Sequence, residues 1–146
     1  MVSIRIRVCA FLSRDDEVLL VKHEKESREY WLLPGGGVEQ GEDLHQAIIR
    51  ELKEETSLDV KPRQLLFVGE SISPEDRHVL HVCFKCDQIG GDLKVHKDER
   101  LKDALFFDKS ELAKLTIYPN ITSNLIEFLT EENKTKNAEY LGNLWH

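Results

Sequence analysis

The chain has 146 residues, a formal net charge of −7 and a pI near 5.4. That length is enough for one sizeable core, and the acidic balance argues against a general nucleic-acid or anionic-membrane surface. No apolar run approaches the roughly 18 residues that a membrane-spanning helix needs, and the alternating start Met1–Arg7 lacks a signal-peptide profile, so the expected location is cytoplasmic.

Ile4–Leu12 alternates, with Ile4, Ile6, Val8 and Ala10 on one face, and reads as a strand. After an Asp15-Asp16 turn, Val18–Val21 is a short apolar strand. Residues 23–30 are almost wholly charged or polar and read as a loop. Trp31-Leu32-Leu33-Pro34 then leads into Gly35-Gly36-Gly37, where the absence of side chains lets the backbone approach a ligand closely. A helix is expected from Leu44 to Leu58. Asp43 is a good N-cap, Gln46 three residues on completes a capping box, and no Gly or Pro interrupts the run.

Beyond the helix, Leu65–Ser71 and Val79–Cys86 are expected strands joined by the turn Ser73-Pro74-Glu75-Asp76, and Gly90-Gly91-Asp92 is another turn. Ala104–Phe107 reads as a strand, Ser110–Leu115 as a short helix with a serine cap, and Thr122–Glu131 as a longer helix. Cys83-Phe84-Lys85-Cys86 has C-x-x-C spacing, but residues three apart on a strand face opposite sides. The same argument removes His78 and His81 as a ligand pair. No internal repeat is present. The pattern suits an α/β fold, a mixed sheet between helices, with a domain over residues 1–131 and a tail over 132–146. The tail opens with a polar, mobile stretch from Glu132 to Asn137. Its apolar end, Tyr140–Trp145, is suited to dock on the domain or on a second copy, which leaves a homodimer open.

The helix carries the chemistry. On a helical wheel Leu44, Ala47, Ile48 and Leu52 form one apolar stripe, Glu51 and Glu55 fall on or beside it, and Glu54 lies at its edge. Like charges at i,i+3 and i,i+4 destabilise a helix by roughly 0.2–0.5 kcal/mol per pair, and desolvation adds to the cost. A solvated face, with Arg50 paired to Glu54, is one way to absorb these charges. A bound hard cation is the other, and oxygen ligands suit Mg²⁺ or Mn²⁺.

Gly36, five residues, Glu42, seven residues, Arg50-Glu51-Leu52, one residue, Glu54-Glu55, one residue, Ser57-Leu58 resembles the Nudix box of the Nudix hydrolase family, which includes MutT-like enzymes. The one departure is Ser57, where the family usually has the glycine that follows the helix in left-handed geometry. The resemblance implies a Nudix-type α/β/α sandwich. It also implies Mg²⁺- or Mn²⁺-dependent attack of water on a nucleoside diphosphate linked to another group. Glu51, Glu54 and Glu55 would be metal ligands, Glu51 or Glu55 would also orient the water, the Gly35 carbonyl would add a ligand, Arg50 would orient the carboxylates, and Glu42 would be a more distant ligand or a loop brace. Chemically this fits, because cations neutralise the diphosphate and lower the pKa of bound water, while Gly36 and Gly37 leave room for phosphate. Phosphate-loop, dinucleotide-fold, serine-elbow and zinc-helix motifs are all missing from the sequence.

Substrate choice is thinly encoded. Pro74 lies sixteen residues past Leu58, similar to ADP-ribose pyrophosphatases, whereas diadenosine-polyphosphate enzymes tend to show a tyrosine, and no Tyr occurs between Tyr30 and Tyr118. ADP-ribose or a related sugar nucleotide is the first expectation, a nucleoside triphosphate or diadenosine polyphosphate the alternative, and a non-catalytic nucleotide sensor the second alternative. Arg28 and Arg77 are candidate phosphate contacts, Tyr30 and Phe84 candidate base-stacking rings, and Glu99 a candidate further metal ligand or base.

Overall fold

The structure, a computed structural model, describes residues 3–132 and 137–145. Strand β1 (Ile4–Arg14) organises it. It pairs in parallel with β6 (His78–Gly90) from Ile4 to Leu12, antiparallel with the short β4 (Gly35–Gly37), and antiparallel at its end with β2 (Glu17–Lys25). Strand β2 is flanked by β3 (Arg28–Leu32) and β7 (Leu101–Phe107). On the other side β6 pairs antiparallel with β5 (Asp59–Ile72), and β5 pairs in parallel with β8 (Glu139–Asn143). The sheet is therefore mixed, as expected.

Alternation along β1 builds two cores. Val8, Ala10 and Leu12 face helix α1 (Leu44–Thr56), where Ala47, Ile48 and Leu52 meet Val82 and Phe84. Cys9 and Phe11 face the other way, towards Leu112 of α2 (Lys109–Leu112) and Leu125, Phe128 and Leu129 of α3 (Thr122–Thr130). Helices on both faces of a mixed sheet make the α/β/α sandwich. Cys83 joins one core and Cys86 the other, so the C-x-x-C spacing spans the sheet.

The α1 boundaries follow from local chemistry. The Asp43 carboxylate accepts the Gln46 N–H at 2.8 Å, and the Gln46 side chain accepts the Asp43 N–H at 2.8 Å. Ser57 ends the helix at φ 66°, ψ 8°, the left-handed conformation that a glycine would adopt more readily.

Three expectations need correction. Residues 23–30 are not a loop: they are the facing ends of β2 and β3, joined by Glu26-Ser27 with φ of 53° and 64°. Both central residues are left-handed, the primed turn that a right-twisted hairpin requires. Arg28 and Tyr30 are thus strand residues. The cap of α2 is Asp108 rather than Ser110, because Asp108 accepts the Glu111 N–H at 2.9 Å and Ser110 donates to Asp108. Phe84 is buried and packs edge-on against His45, which removes it as a base-stacking ring.

Residues 133–136 of the polar stretch lie outside the described residues. The apolar end of the tail docks on the sheet. Phe67 pairs with Glu139 and Val68 with Tyr140, the Leu144 N–H donates to the Glu70 carbonyl at 2.6 Å, and Leu144 is 9% exposed. Gly69 makes the room: a Cβ there would lie 2.7 Å from Leu144 Cδ1. Leu144→Ala should therefore lower stability by about 2–3 kcal/mol, the lower part of the range for core leucines. Thermal denaturation checks this, and an unchanged melting temperature would mean that the tail does not contribute to the core.

Candidate active site

Helix α1 and strand β4 meet closely. A Cβ on Gly36 would lie 2.3 Å from the Glu51 carboxyl carbon, and one on Gly35 would lie 2.0 Å from the Val8 carbonyl oxygen. A side chain at 35 would strike the β1 backbone, and one at 36 would displace the Glu51 carboxylate. The contact brings Glu51 and Glu55 against the strand, with side chains only 16% and 13% exposed, while Glu54 stays in solvent.

Each carboxylate is held differently. The Gly35 N–H donates to Glu55 Oε1 at 2.9 Å. Burial pushes the Glu55 carboxyl up to about 8, against the Arg7 guanidinium and the Gly35 N–H, which both favour its charged form. Glu51 is also raised by burial, opposed by its bond from Arg50 Nη1 at 2.9 Å. Arg50 donates to both oxygens of Glu42, from Nη2 at 2.6 Å and Nε at 3.1 Å, and to the Gly37 carbonyl at 3.0 Å. Glu42 also accepts the Glu39 N–H at 2.8 Å. Arg50 thus orients Glu51 and straps the 37–42 loop to the helix, with only a loose approach to Glu54 at 3.4 Å.

The glutamates open into a cleft of about 200 Å³ lined also by His23, His96, Asp98, Arg100 and Leu101. The segment bearing His96 is tied to the end of α1. The Thr56 carbonyl accepts the Lys94 N–H at 2.9 Å, the Glu55 carbonyl accepts the His96 N–H at 3.2 Å, and the Ser57 hydroxyl is bonded to the Lys94 carbonyl at 3.1 Å and to His96 Nε2 at 2.6 Å. His23 Nε2 lies 4.0 Å from Glu55 Oε2. Burial, helped by Arg7 and Arg100, pulls the His23 imidazole down to about 4. Between about 4 and 8 both groups are neutral, so this pair is close without being an ion pair.

The cleft corrects one residue. Glu99 is exposed and lies outside the lining, whereas Asp98 one place earlier faces in, and its carboxylate accepts the N–H groups of Leu101 at 2.6 Å and Arg100 at 2.8 Å. Arg28 is exposed at the β2–β3 hairpin, and Arg77 is exposed beside the turn where the Ser73 N–H meets the Arg77 carbonyl at 2.8 Å. Neither lines the cleft. Tyr30 packs edge-on between His23 and Tyr118. His23, Asp98, Arg100 and Arg7 were not evident from sequence. His23 was hidden in the apparent charged loop, and Asp98 carries an Asx-turn that sequence alone does not distinguish from its neighbours. A larger open depression beside Ser13, Asp16, Asp108 and Thr130 contains none of Glu51, Glu54 and Glu55.

The donor set fits a hard divalent cation. Three carboxylates of one helix face and the Asp98 carboxylate surround one cleft, and two of them are raised by burial that a cation would offset. Among the described residues no three such groups already form a closed ligand set. Arg50 and the Gly35 N–H hold Glu51 and Glu55 in the meantime.

A model of the NUDIX domain matches residues 3–128. The ADP-ribose pyrophosphatase of Methanocaldococcus jannaschii is 40% identical over 112 residues, 75% of this chain and 65% of that protein. The NAD-capped RNA hydrolase NudC of Pectobacterium atrosepticum is 33% identical over 116 residues, 80% of this chain and 43% of that protein. The chain therefore spans less than two thirds of the length of either relative. A NUDIX hydrolase from Nitrosomonas europaea has the same fold, with a TM-score of 0.78 at 23% identity over 90% of this chain and 91% of that one.

The buried carboxyl gives a pH test in metal-free protein. Glu55 has a folded-state pKa above its unfolded value, so its contribution to stability is full below about 4.5 and is lost as pH rises through about 8. Glu55→Gln removes that loss. In chelator, the melting temperature of the variant relative to wild type should rise from pH 5 to pH 9. Melting curves at both pH values test this, and a constant difference would contradict it.

Proposed function

Because the chain belongs to the Nudix family, we propose that it hydrolyses a nucleoside diphosphate linked to another group, with ADP-ribose or a related sugar nucleotide as the first candidate. The observation that carries the reading is the convergence of Glu51, Glu54, Glu55 and Asp98 on one cleft beside the glycine strand β4. The name of the archaeal relative supports ADP-ribose. The bacterial relative is named for hydrolysis of NAD-capped RNA, which keeps a second nucleotide substrate class in view. Pro74 adds little, since Ser73–Arg77 is a self-closed hairpin turn.

In this reading Glu51, Glu54 and Glu55 hold Mg²⁺ or Mn²⁺, with the Gly35 carbonyl and Asp98 as further oxygen donors. The cation neutralises the diphosphate and makes water more acidic. The residues of the chain do the rest. Arg50 keeps Glu51 aimed into the cleft while its other nitrogens hold the 37–42 loop. Gly37, where a Cβ would meet nothing within 4 Å, leaves room for phosphate along the strand, while Gly36 leaves room for Glu51. Once a cation offset its burial, Glu55 would be charged and able to accept a proton from water. Nucleoside triphosphates and diadenosine polyphosphates present the same anhydride and remain the alternative substrates.

The test is Mg²⁺-dependent turnover of ADP-ribose, a sugar nucleotide, diadenosine tetraphosphate and nucleoside triphosphates, with products identified by chromatography. Glu54→Gln and Glu55→Gln should each cost on the order of a hundredfold in kcat, because charge stabilisation is lost in the transition state, while circular dichroism stays that of the wild type. Near-wild-type turnover in both variants would remove the glutamates from the reaction.

A further inference from the structure

Strand β1 carries two cations that lie outside the lining of the glutamate cleft. Arg5 and Arg7 are two residues apart and share a face of the strand. It is the face of Cys9 and Phe11, opposite α1. Among the described residues neither forms a salt bridge, although the Arg7 charge reaches Glu51 and Glu55. Arg5 makes no side-chain bond there, and the Arg7 guanidinium donates from Nη2 to the Leu33 carbonyl at 2.8 Å, next to the Cys9 thiol.

The parallel register places His81 of β6 beside Arg7. His81 is 3% exposed. Its Nε2 is bonded to the Ser71 hydroxyl at 2.9 Å, and its Nδ1 has no partner. A buried polar group left unmatched costs about 1–3 kcal/mol, so this nitrogen marks a place that a ligand atom would complete. When Nε2 accepts the serine hydroxyl, Nδ1 carries the hydrogen and donates. Burial holds the imidazole neutral, at about 4.

Beside Arg7 the sheet is open at Gly37, whereas on the His81 side Leu144 covers Gly69. Gly37 pairs with Arg7 on one side and Gly69 with His81 on the other. A Cβ on Gly37 would meet nothing within 4 Å. Tyr118 is fixed to β3 by its N–H on the Trp31 carbonyl at 2.9 Å, while Trp145 follows β8 on the far side of β6, and their rings lie 6.2 Å apart. Their neighbours Ile117 and Leu144 both belong to the core on this face, so the aromatic pair reaches across it. The Arg7 charge acts on Glu51, Glu55 and His23, and the way from one site to the other runs over the glycines of β4.

We propose that Arg5, Arg7 and His81 form an anion subsite, beside Gly37, for a phosphate of the nucleotide substrate other than the one attacked at the glutamates. It rests on the nucleoside diphosphate reading above. Arginine suits a phosphate because its N–H groups match two oxygens at once. The His81 N–H adds a donor in a fixed position, and Arg5 at the exposed end draws the anion in. None of its three residues belongs to the carboxylate cluster, so anion binding there can be read without metal, although the Arg7 charge also reaches Glu51 and Glu55.

Titration calorimetry in chelator tests it, with ADP and adenosine as probes on wild type, Arg7→Gln, Arg7→Lys and Arg5→Gln, each with its melting temperature. Wild type should bind ADP without metal and adenosine about tenfold more weakly or worse, the value of one lost charged contact. Arg7→Gln should weaken ADP about tenfold and leave adenosine unchanged, and Arg7→Lys should restore part of the loss. Arg5 is exposed and makes no side-chain hydrogen bond or salt bridge among the described residues, so Arg5→Gln carries the same test with a smaller loss if Arg7→Gln fails to fold. No metal-free binding of ADP, adenosine binding as tight as ADP, or ADP affinity indifferent to the arginine substitutions would overturn the subsite. Intact metal-dependent turnover with such indifference removes the subsite alone. Absent turnover with arginine-dependent ADP binding removes the hydrolase reading and keeps the subsite.

Discussion

The close approach of α1 to β4 is the constraint on which the site depends. Two carboxylates are pressed against a strand with no side chains: the missing Cβ of Gly36 leaves room for Glu51, and that of Gly35 lets the strand lie against β1. Were the helix an ångström or two further out, Glu55 would be solvated, charged and ordinary. In place, it is held by one backbone N–H and stays protonated near neutrality until something with positive charge arrives. The apolar stripe of Ala47, Ile48 and Leu52 supplies the force that holds the helix there, since these side chains are fully buried against β1 and β6. Hydrophobic burial on one side of the helix thus sets the desolvation of the acids next to it.

Arg50 is the second member of this arrangement. Its guanidinium reaches Glu42, Glu51 and Gly37, so one side chain reconciles the helix, the loop before it and the glycine strand. A lysine has one nitrogen centre and cannot make these bonds together. The cost of placing like charges along one helix face is thereby shared between a permanent cation and the burial that neutralises Glu55.

What sequence revealed was what short-range chemistry encodes. The limits of α1 follow from Asp43, Gln46 and Ser57, all within a turn of the ends they set, and the glutamate spacing follows from helical periodicity alone. Strand pairing is less local. The hairpin through Glu26-Ser27 has no turn signature in sequence because its two left-handed residues are neither Gly nor Asn. Asp98 was passed over for Glu99 because which of two adjacent acids faces a cleft depends on a turn one residue long. The pairing of β8 with β5 joins segments some seventy residues apart, which no local pattern reports. Arg7 looked like one more charged residue in an alternating strand, and its position beside an unmatched imidazole appears only once β6 is laid next to β1.

The cap of α1 has a mechanical side. The carbonyls of Glu55 and Thr56 are occupied by N–H groups of residues 94 and 96, and Ser57 holds the same segment through its hydroxyl. The last turn of the helix and the far wall of the cleft are therefore one unit. The wall cannot swing away while the helix end stays wound, because the helix would be left with bare carbonyls in a partly buried place. Entry and exit of a ligand must proceed along the rim, or else fray the turn that bears Glu54 and Glu55. A glycine at position 57 would ease the backbone and release the hydroxyl tether at once. Serine there trades conformational ease for a cleft whose two sides keep their spacing.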